Sequence, residues 1–326
     1  MVEIEKVSTE LSAADRKDHR LFRLGYKRSE HKVKPGIYSV GSPTSNSPVF
    51  VSANLTLSFD ALRTSLKGMD AYIMVIDTKG INVWCAAGKG TFGTNEVLRC
   101  IKEFGLESVV GHRRLILPQL AAPGVSALEV KKMSGFHVEW GPVRAKDIPE
   151  YMRLGKATPE MRKVTFTLRE RATVVPVEIV HNLLYLVVAE LAVFFILGAI
   201  PALAVLVAVM GGVVLFPLLL PYIPTRQFAS KGMLLGIILA LPFMLYPLFI
   251  GGTVDMAFVV NGLTYLLLVA PVVAFISLNY TGSSTFTSRT GVKKEILRWA
   301  PIMVLMVIAG IAVQVAFVLL QAGGYL

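Results

Sequence analysis

After residue 180 the chain almost stops carrying charge. Up to Leu326 there are six basic residues (Arg226, Lys231, Arg289, Lys293, Lys294 and Arg298) and three acidic ones (Glu190, Asp255 and Glu295). Between them run apolar stretches long enough to cross roughly 30 Å of hydrocarbon as helices, which takes about 20 residues each. In lipid every backbone N–H and C=O must find its partner within the segment, so helices are what such stretches form. Five are expected, over residues 183–200, 202–222, 233–250, 254–278 and 300–320. Pro201 is expected to start the second, and Pro217 and Pro221 to bend or end it, because proline removes a backbone donor.

The charges that remain lie in loops and set an orientation. Residues 224–232 carry Arg226 and Lys231, and residues 279–299 carry Arg289, Lys293, Lys294 and Arg298. The turns near Ala199 and at 251–255, and the tail 321–326, carry no basic residue. With five spans, both basic loops fall on the same side as the N-terminal half. The expectation is a multi-pass protein of the cytoplasmic (inner) membrane with its N-terminal domain in the cytoplasm and its C-terminus outside. Glu190 falls inside the first span. An ionisable group there marks function by default; the plainer reading is a protonated or paired Glu joining helices, with Gln314 as partner.

The first 180 residues are different in kind and long enough for a domain with its own core. Of the net charge of +11, eight belong to them, which fits attraction to the anionic heads of membrane lipid. No nucleic-acid-binding motif is present, so no nucleic-acid partner is expected. Residues 1–30 are charged and lack the apolar run of a signal peptide. Residues 1–50, rich in Ser, Pro and Lys, read as a polar arm with little regular structure. Residues 51–165 read as an α/β domain, 166–180 as a linker and 181–326 as the membrane domain. The run Ala71-Tyr72-Ile73-Met74-Val75-Ile76-Asp77 has the signature of a buried strand. Asn95 reads as an N-cap before Val97, Leu98, Ile101 and Phe104 at helical spacing, with Gly105 as the stop. Residues 114–117 form a second strand. Ser126 and Glu129 open a short helix as a capping box, and residues 136–140 alternate like a third strand. Strands alternating with helices predict a parallel sheet whose ligands bind beyond the carboxyl ends of the strands.

The stretch Asn82-Val83-Trp84-Cys85-Ala86-Ala87-Gly88-Lys89-Gly90-Thr91-Phe92-Gly93-Thr94 lies at such a place. It reads as a tight loop in which three glycines let backbone approach a bulky ligand. It holds neither a Walker loop nor a dinucleotide fingerprint. Its one thiol, Cys85, lies near Lys89, and a thiolate is a soft, strong metal ligand; the alternative is a small buried hydrophobe. Cys100, on the apolar stripe of the following helix, reads as core. Two cysteines make no disulfide framework and cannot hold a four-cysteine iron–sulfur cluster.

Residues 82–89 resemble the cap-helix motif of the corrinoid protein of the mercury-methylating gene pair, the HgcA family, which joins a cobalamin-binding domain to a five-helix membrane domain. The wider stretch 75–151, including Leu117-Pro118-Gln119-Leu120-Ala121-Ala122-Pro123-Gly124 and Trp140-Gly141-Pro142-Val143-Arg144-Ala145-Lys146-Asp147, is similar to the corrinoid-binding domain of the corrinoid iron–sulfur protein large subunit. The resemblance implies an α/β Rossmann-like cobalamin-binding domain followed by five transmembrane helices. It makes Cys85 the catalytic residue and the lower axial ligand of the cobalt in cobalamin or a related corrinoid. A thiolate donates more electron density to cobalt than an imidazole. That favours release of the upper methyl as a carbanion or radical equivalent to Hg(II), giving methylmercury. Asn82, Val83, Trp84, Ala86, Ala87, Gly88, Lys89, Gly90, Thr91, Gly93 and Thr94 would shape the cofactor pocket. Gln119, Ala121, Pro123, Gly124, Gly141 and Pro142 would meet the nucleotide tail.

The implied partners are a ferredoxin-like iron–sulfur protein as electron donor and a methyltransferase supplying methyl from a methyl-folate-type donor. No D-x-H-x-x-G run provides a histidine ligand instead. Two other functions fit the same chain: a membrane-tethered corrinoid methyl carrier of one-carbon metabolism, and a membrane transporter or sensor with a cytosolic ligand-binding domain.

Overall fold

The computed structural model describes residues 4–283 and 289–324. The chain divides into two compact units, the second beginning at Phe166. In the first, six strands form one sheet: β1 (Ile4–Lys6), β2 (Gly36–Val40), β3 (Val49–Ala53), β4 (Ala71–Ile76), β5 (Arg114–Leu117) and β6 (His137–Trp140), in the order β1-β2-β4-β3-β5-β6. The run β4-β3-β5-β6 is parallel, but β2 is antiparallel to β4 and β1 parallel to β2. The sheet is therefore mixed, where a parallel Rossmann-like one was expected.

β3 and β4 are buried along their whole length, and their alternate residues separate two cores. On one face Val49, Val51, Ala53, Met74, Ile76, Leu115 and Leu117 pack with residues of helices α3 (Val83–Lys89), α4 (Thr94–Glu103), α5 (Leu106–Val109) and α6 (Ala127–Ser134). On the other, Phe50, Ile73, Val75 and Ile116 pack with residues of α2 (Thr56–Ser65) and α7 (Ile148–Leu154). Helices on both faces of a largely parallel sheet make a three-layer α/β unit. Cys100 is fully buried in the first core, as its position on the stripe implied, and burial pushes its thiol pKa up.

The N-terminal segment corrects the expectation of an irregular arm. Residues 4–50 contain β1, helix α1 (Ala13–Arg23), β2 and the start of β3. Helix α1 buries none of its residues; polar contacts hold it. Asp15 accepts from Arg63 Nη2 at 2.8 Å, Asp18 from the Thr56 hydroxyl at 2.7 Å, and His19 pairs with Asp60 at 2.7 Å. His31 sits 2.6 Å from Asp18 Oδ1 through Nδ1 and 2.8 Å from the Tyr26 carbonyl through Nε2. Both neighbours are acceptors, so both ring nitrogens donate and the imidazolium form is favoured. Burial works against that charge, but the Tyr26 carbonyl and the Asp18 carboxylate outweigh it and raise the pKa. A raised histidine contributes stability that is complete below its ordinary value of 6.5 and lost as pH rises through the folded value. Amide-exchange protection of residues 13–31, corrected for intrinsic rates, is expected to fall by up to roughly tenfold from pH 6 to pH 8. His31→Gln should remove that dependence; a wild-type profile flat with pH would refute it.

The second unit holds α8 (Leu168–Ala172), α9 (Val175–Leu197), α10 (Ala199–Met210), a π-helical turn at Gly211–Leu215, α11 (Phe216–Leu219), α12 (Phe228–Phe249), α13 (Met256–Leu278) and α14 (Arg289–Ala322). Among the described residues five stretches are long and apolar enough to cross a membrane: Leu168–Leu197, Ala199–Leu219, Phe228–Phe249, Met256–Thr281 and Thr290–Ala322. The expected linker 166–180 is thus largely helical: the N-cap Thr167 accepts from the Glu170 N–H, and Pro176 begins α9 where its missing N–H costs nothing. The second span starts at Ala199 rather than at Pro201, and it loosens into the π turn before Pro217. The Glu190–Gln314 pair does not form. Gln314 accepts from the Thr264 hydroxyl at 3.0 Å, and Glu190 Oε2 is buried with no hydrogen-bond partner among the described residues.

Candidate functional site

The sequence motif forms a helix where a loop was expected. Asn82 is the N-cap of α3: its backbone is extended and its side-chain oxygen accepts the Cys85 N–H at 2.9 Å. Asn is a favoured cap because it satisfies a donor that the helix leaves unpaired. The seven residues are too few to show an apolar period, but Ala86 and Ala87 bury one face in the core beneath. Gly90, at φ 83°, ends the helix in the left-handed conformation that suits glycine. Cys85 is left partly exposed, as are Trp84 and Thr91, while Gly88, Lys89 and Gly90 are open to solvent.

The approach to this helix is set by a residue that sequence reasoning missed. Asn54 follows β3 and is 2% exposed. Its Oδ1 accepts from the Thr78 N–H (3.1 Å), the Thr78 hydroxyl (2.9 Å) and the Gly80 N–H (3.0 Å), and its Nδ2 donates to Asp77 Oδ1 (3.0 Å). The Asp77 N–H in turn donates to Glu96 Oε1 of α4 at 3.1 Å. Arg99 beside it holds the Glu96 carboxyl below the usual carboxylate range, although burial alone would raise it. One side chain therefore fixes the bend between β4 and α3. The only local hint was an Asn straight after an apolar run. Asn54→Ala would leave several buried donors unpaired and is expected to cost about 2–3 kcal/mol. Urea unfolding followed by the fluorescence of Trp84 and Trp140 would measure it; a loss under about 0.5 kcal/mol would contradict the assignment.

The remaining candidates gather at the same edge of the sheet. After β5, Gln119–Ala121 forms one 3₁₀ turn that packs against α3. Gly124 lies against α3, since a Cβ there would come within 3.0 Å of both Ala87 Cα and Ala87 O. Thr94 is engaged within the protein: its N–H donates to the Gly124 carbonyl at 3.2 Å and its hydroxyl accepts the Ser126 N–H at 2.9 Å. Helix α4 starts from Gly93, so Asn95 lies inside it rather than capping it. After β6, Gly141 and Pro142 are buried; the Gly141 N–H donates to the Leu117 carbonyl at 2.8 Å, and Gln119 accepts from Arg162 at 2.7 Å. The glycines thus divide. Gly93, Gly124 and Gly141 serve close packing of the chain on itself, whereas a Cβ at Gly88 or Gly90 would meet nothing within 4 Å.

Chemically the edge offers one soft donor, Cys85, beside open space. Among the described residues no three His, Cys, Asp or Glu side chains converge as a metal site.

Residues 26–152 match the family model described as CO dehydrogenase/acetyl-CoA synthase delta subunit. Acetyl-CoA decarbonylase/synthase complex subunit gamma of Methanopyrus kandleri is 33% identical over 127 residues, covering 38% of this chain and 27% of that protein. The subunit of the same name from Methanothermobacter thermautotrophicus is 35% identical over 127 residues with the same coverage. The corrinoid/iron–sulfur protein large subunit of Moorella thermoacetica is 25% identical over 153 residues, 44% of this chain and 34% of that protein. The chain thus matches about a third or less of the length of these relatives. The family match at residues 26–152 falls within the first unit.

Proposed function

We propose that the chain is a membrane-anchored, corrinoid-dependent methyltransferase that passes a methyl group to Hg(II). Cys85 carries the reading. It is a partly exposed thiol in the first turn of a capped helix that follows the carboxyl end of β4, in a chain similar in part to a corrinoid/iron–sulfur protein. Five helices long enough to span a membrane follow that domain. The residues suit a corrinoid. The backbone N–H of Cys85 is already satisfied by Asn82, and the fold keeps clear space beside Gly88 and Gly90.

When bound, the corrinoid supplies the cobalt and the methyl group. The Cys85 sulfur would hold the cobalt as an electron-rich thiolate donor. Asn82 would hold that segment in place, Trp84 and Thr91 would border the ring, and Lys89 would meet acidic groups of the cofactor. Gln119 and Pro123, on the neighbouring strand-end loop, are the accessible groups for the nucleotide tail. Ala121, Gly124, Gly141 and Pro142 would support them from behind. Electrons would come from a ferredoxin-like iron–sulfur protein, and methyl groups from a methyltransferase using a methyl-folate-type donor. The charge pattern of the loops supports placing the first unit in the cytoplasm.

The test is single-turnover transfer by the full chain loaded with methylated corrinoid and given Hg(II), reading methylmercury against corrinoid demethylated. Near-equal amounts are expected. The names of the relatives favour a second reading, a tethered methyl carrier of one-carbon metabolism. Methyl passed to an acetyl-CoA-forming partner but never to Hg(II) would replace the first reading with that one.

A further inference from the structure

Helices α9, α10, α12, α13 and α14 enclose a partly open cavity of about 650 Å³. Most of its wall is aliphatic, and no lining residue is charged. The rings of Phe243, Tyr246 and Tyr265 contribute flat surface, with Phe243 and Tyr265 5.5 Å apart between centroids. Asn261, Thr264 and Gln314 add polar groups. Their hydrogen bonds are incomplete. Thr264 donates within the protein, toward the Val260 carbonyl at 2.9 Å and Gln314 Oε1 at 3.0 Å. Among the described residues, the Asn261 side chain, the Tyr265 hydroxyl and the Gln314 side-chain NH₂ have no protein partner. Polar groups at membrane depth are costly when unpaired, and a cavity that gathers three of them calls for an occupant that hydrogen-bonds.

The chemistry of the wall narrows that occupant. Without a charged residue it offers nothing to a metal cation or to a lipid phosphate. The Gln314 oxygen is taken by Thr264, so donors outnumber acceptors among the groups left over: two amide NH₂ groups and the hydroxyls of Tyr246 and Tyr265, against the Asn261 carbonyl. The complement is a neutral molecule that presents acceptor oxygens on a flat ring and carries an apolar body. We infer that this cavity is a binding site for a membrane-dissolved quinone. Its carbonyl oxygens would accept from Asn261, Gln314 and Tyr265, and its ring would lie among Phe243, Tyr246 and Tyr265. The inference rests on the five helices spanning a membrane and is independent of the reaction proposed for Cys85.

The experiment uses the full chain in lipid nanodiscs titrated with decylubiquinone, with binding measured calorimetrically. Saturable binding at one quinone per chain is expected. Asn261→Leu combined with Gln314→Leu keeps the volume and removes the donors, and should weaken binding about tenfold. Ala204→Phe, which fills the cavity from α10, should abolish it. Methylmercury formation by the loaded protein should stay unchanged in both variants, which separates failure here from failure of the proposed function. Wild-type protein that shows no saturable binding, or variants that bind the quinone as wild type does, would overturn the inference, as would a cavity occupied by water or acyl chains alone.

Discussion

Replacing Cys85 by alanine is expected to remove the sulfur–cobalt absorption of the corrinoid-loaded protein and to lower methylmercury formation by at least about 100-fold. Loss of supporting groups around metal sites already costs about 10–100-fold, and here the ligand itself goes. The fold should not suffer. The side chain of Cys85 is partly exposed, its backbone N–H stays bound to Asn82, and the buried face of α3 is formed by Ala86 and Ala87. The loss of activity should therefore come without a loss of thermal stability. Cys85→Ser is the sharper variant: it keeps the size but offers cobalt a harder, poorer donor, so the spectrum should change and activity should still fall. Cys100→Ala supplies the contrast. Cys100 is fully buried, so its loss should lower stability by about 1 kcal/mol and leave the spectrum alone. If Cys85→Ala kept both the spectrum and the methylmercury yield, the thiolate reading would be wrong.

How far the sequence disclosed this arrangement depended on the range of the contacts involved. β4 was legible because six consecutive apolar residues are what a strand buried on both faces requires. The apolar stripe of α4 and the Ser126 cap of α6 were legible for the same local reason, but α4 starts from Gly93 and not from the expected cap Asn95. β2 and β3 were not, since each is five residues long and set among Ser, Pro and Gly. Their burial comes from pairing with β4, which is remote in sequence. Helix α1 was hidden for a related reason: its partners Thr56, Asp60 and Arg63 lie about 40 or more residues further on. In the candidate site the unusual residue, Cys85, was visible by itself. Its scaffold was not, because Asn54 acts through a loop beginning 23 residues later and its chemistry is that of any buried asparagine. In the second unit, apolar length found the long helices, but polar caps at exposed ends, such as Thr167 and Asp255, moved their boundaries.

A pair of glycine substitutions would separate the support of the site from its open face. Gly124→Ala is expected to destabilise the first unit by about 2–3 kcal/mol. The new methyl would press on Phe92 O and lie 3.0 Å from both Ala87 Cα and Ala87 O. All three are backbone atoms, which cannot rotate away as a side chain would. The backbone of Gly124 is not in the left-handed region, so the cost is steric rather than conformational. To relieve it, the 119–124 turn must part from α3, and the surroundings of Cys85 move with it. Gly88→Ala should do the opposite. A Cβ there meets nothing within 4 Å, and the residue is helical. Alanine should therefore stabilise the corrinoid-free protein by about 0.5–1 kcal/mol. If the open face of α3 is where the corrinoid ring lies, the same methyl should weaken cobalamin binding. Thermal melts without cofactor and cobalamin titrations of both variants distinguish the cases. Opposite signs for Gly88→Ala in the two assays would place the ring over α3. Tighter folding with unchanged cobalamin affinity would put it elsewhere.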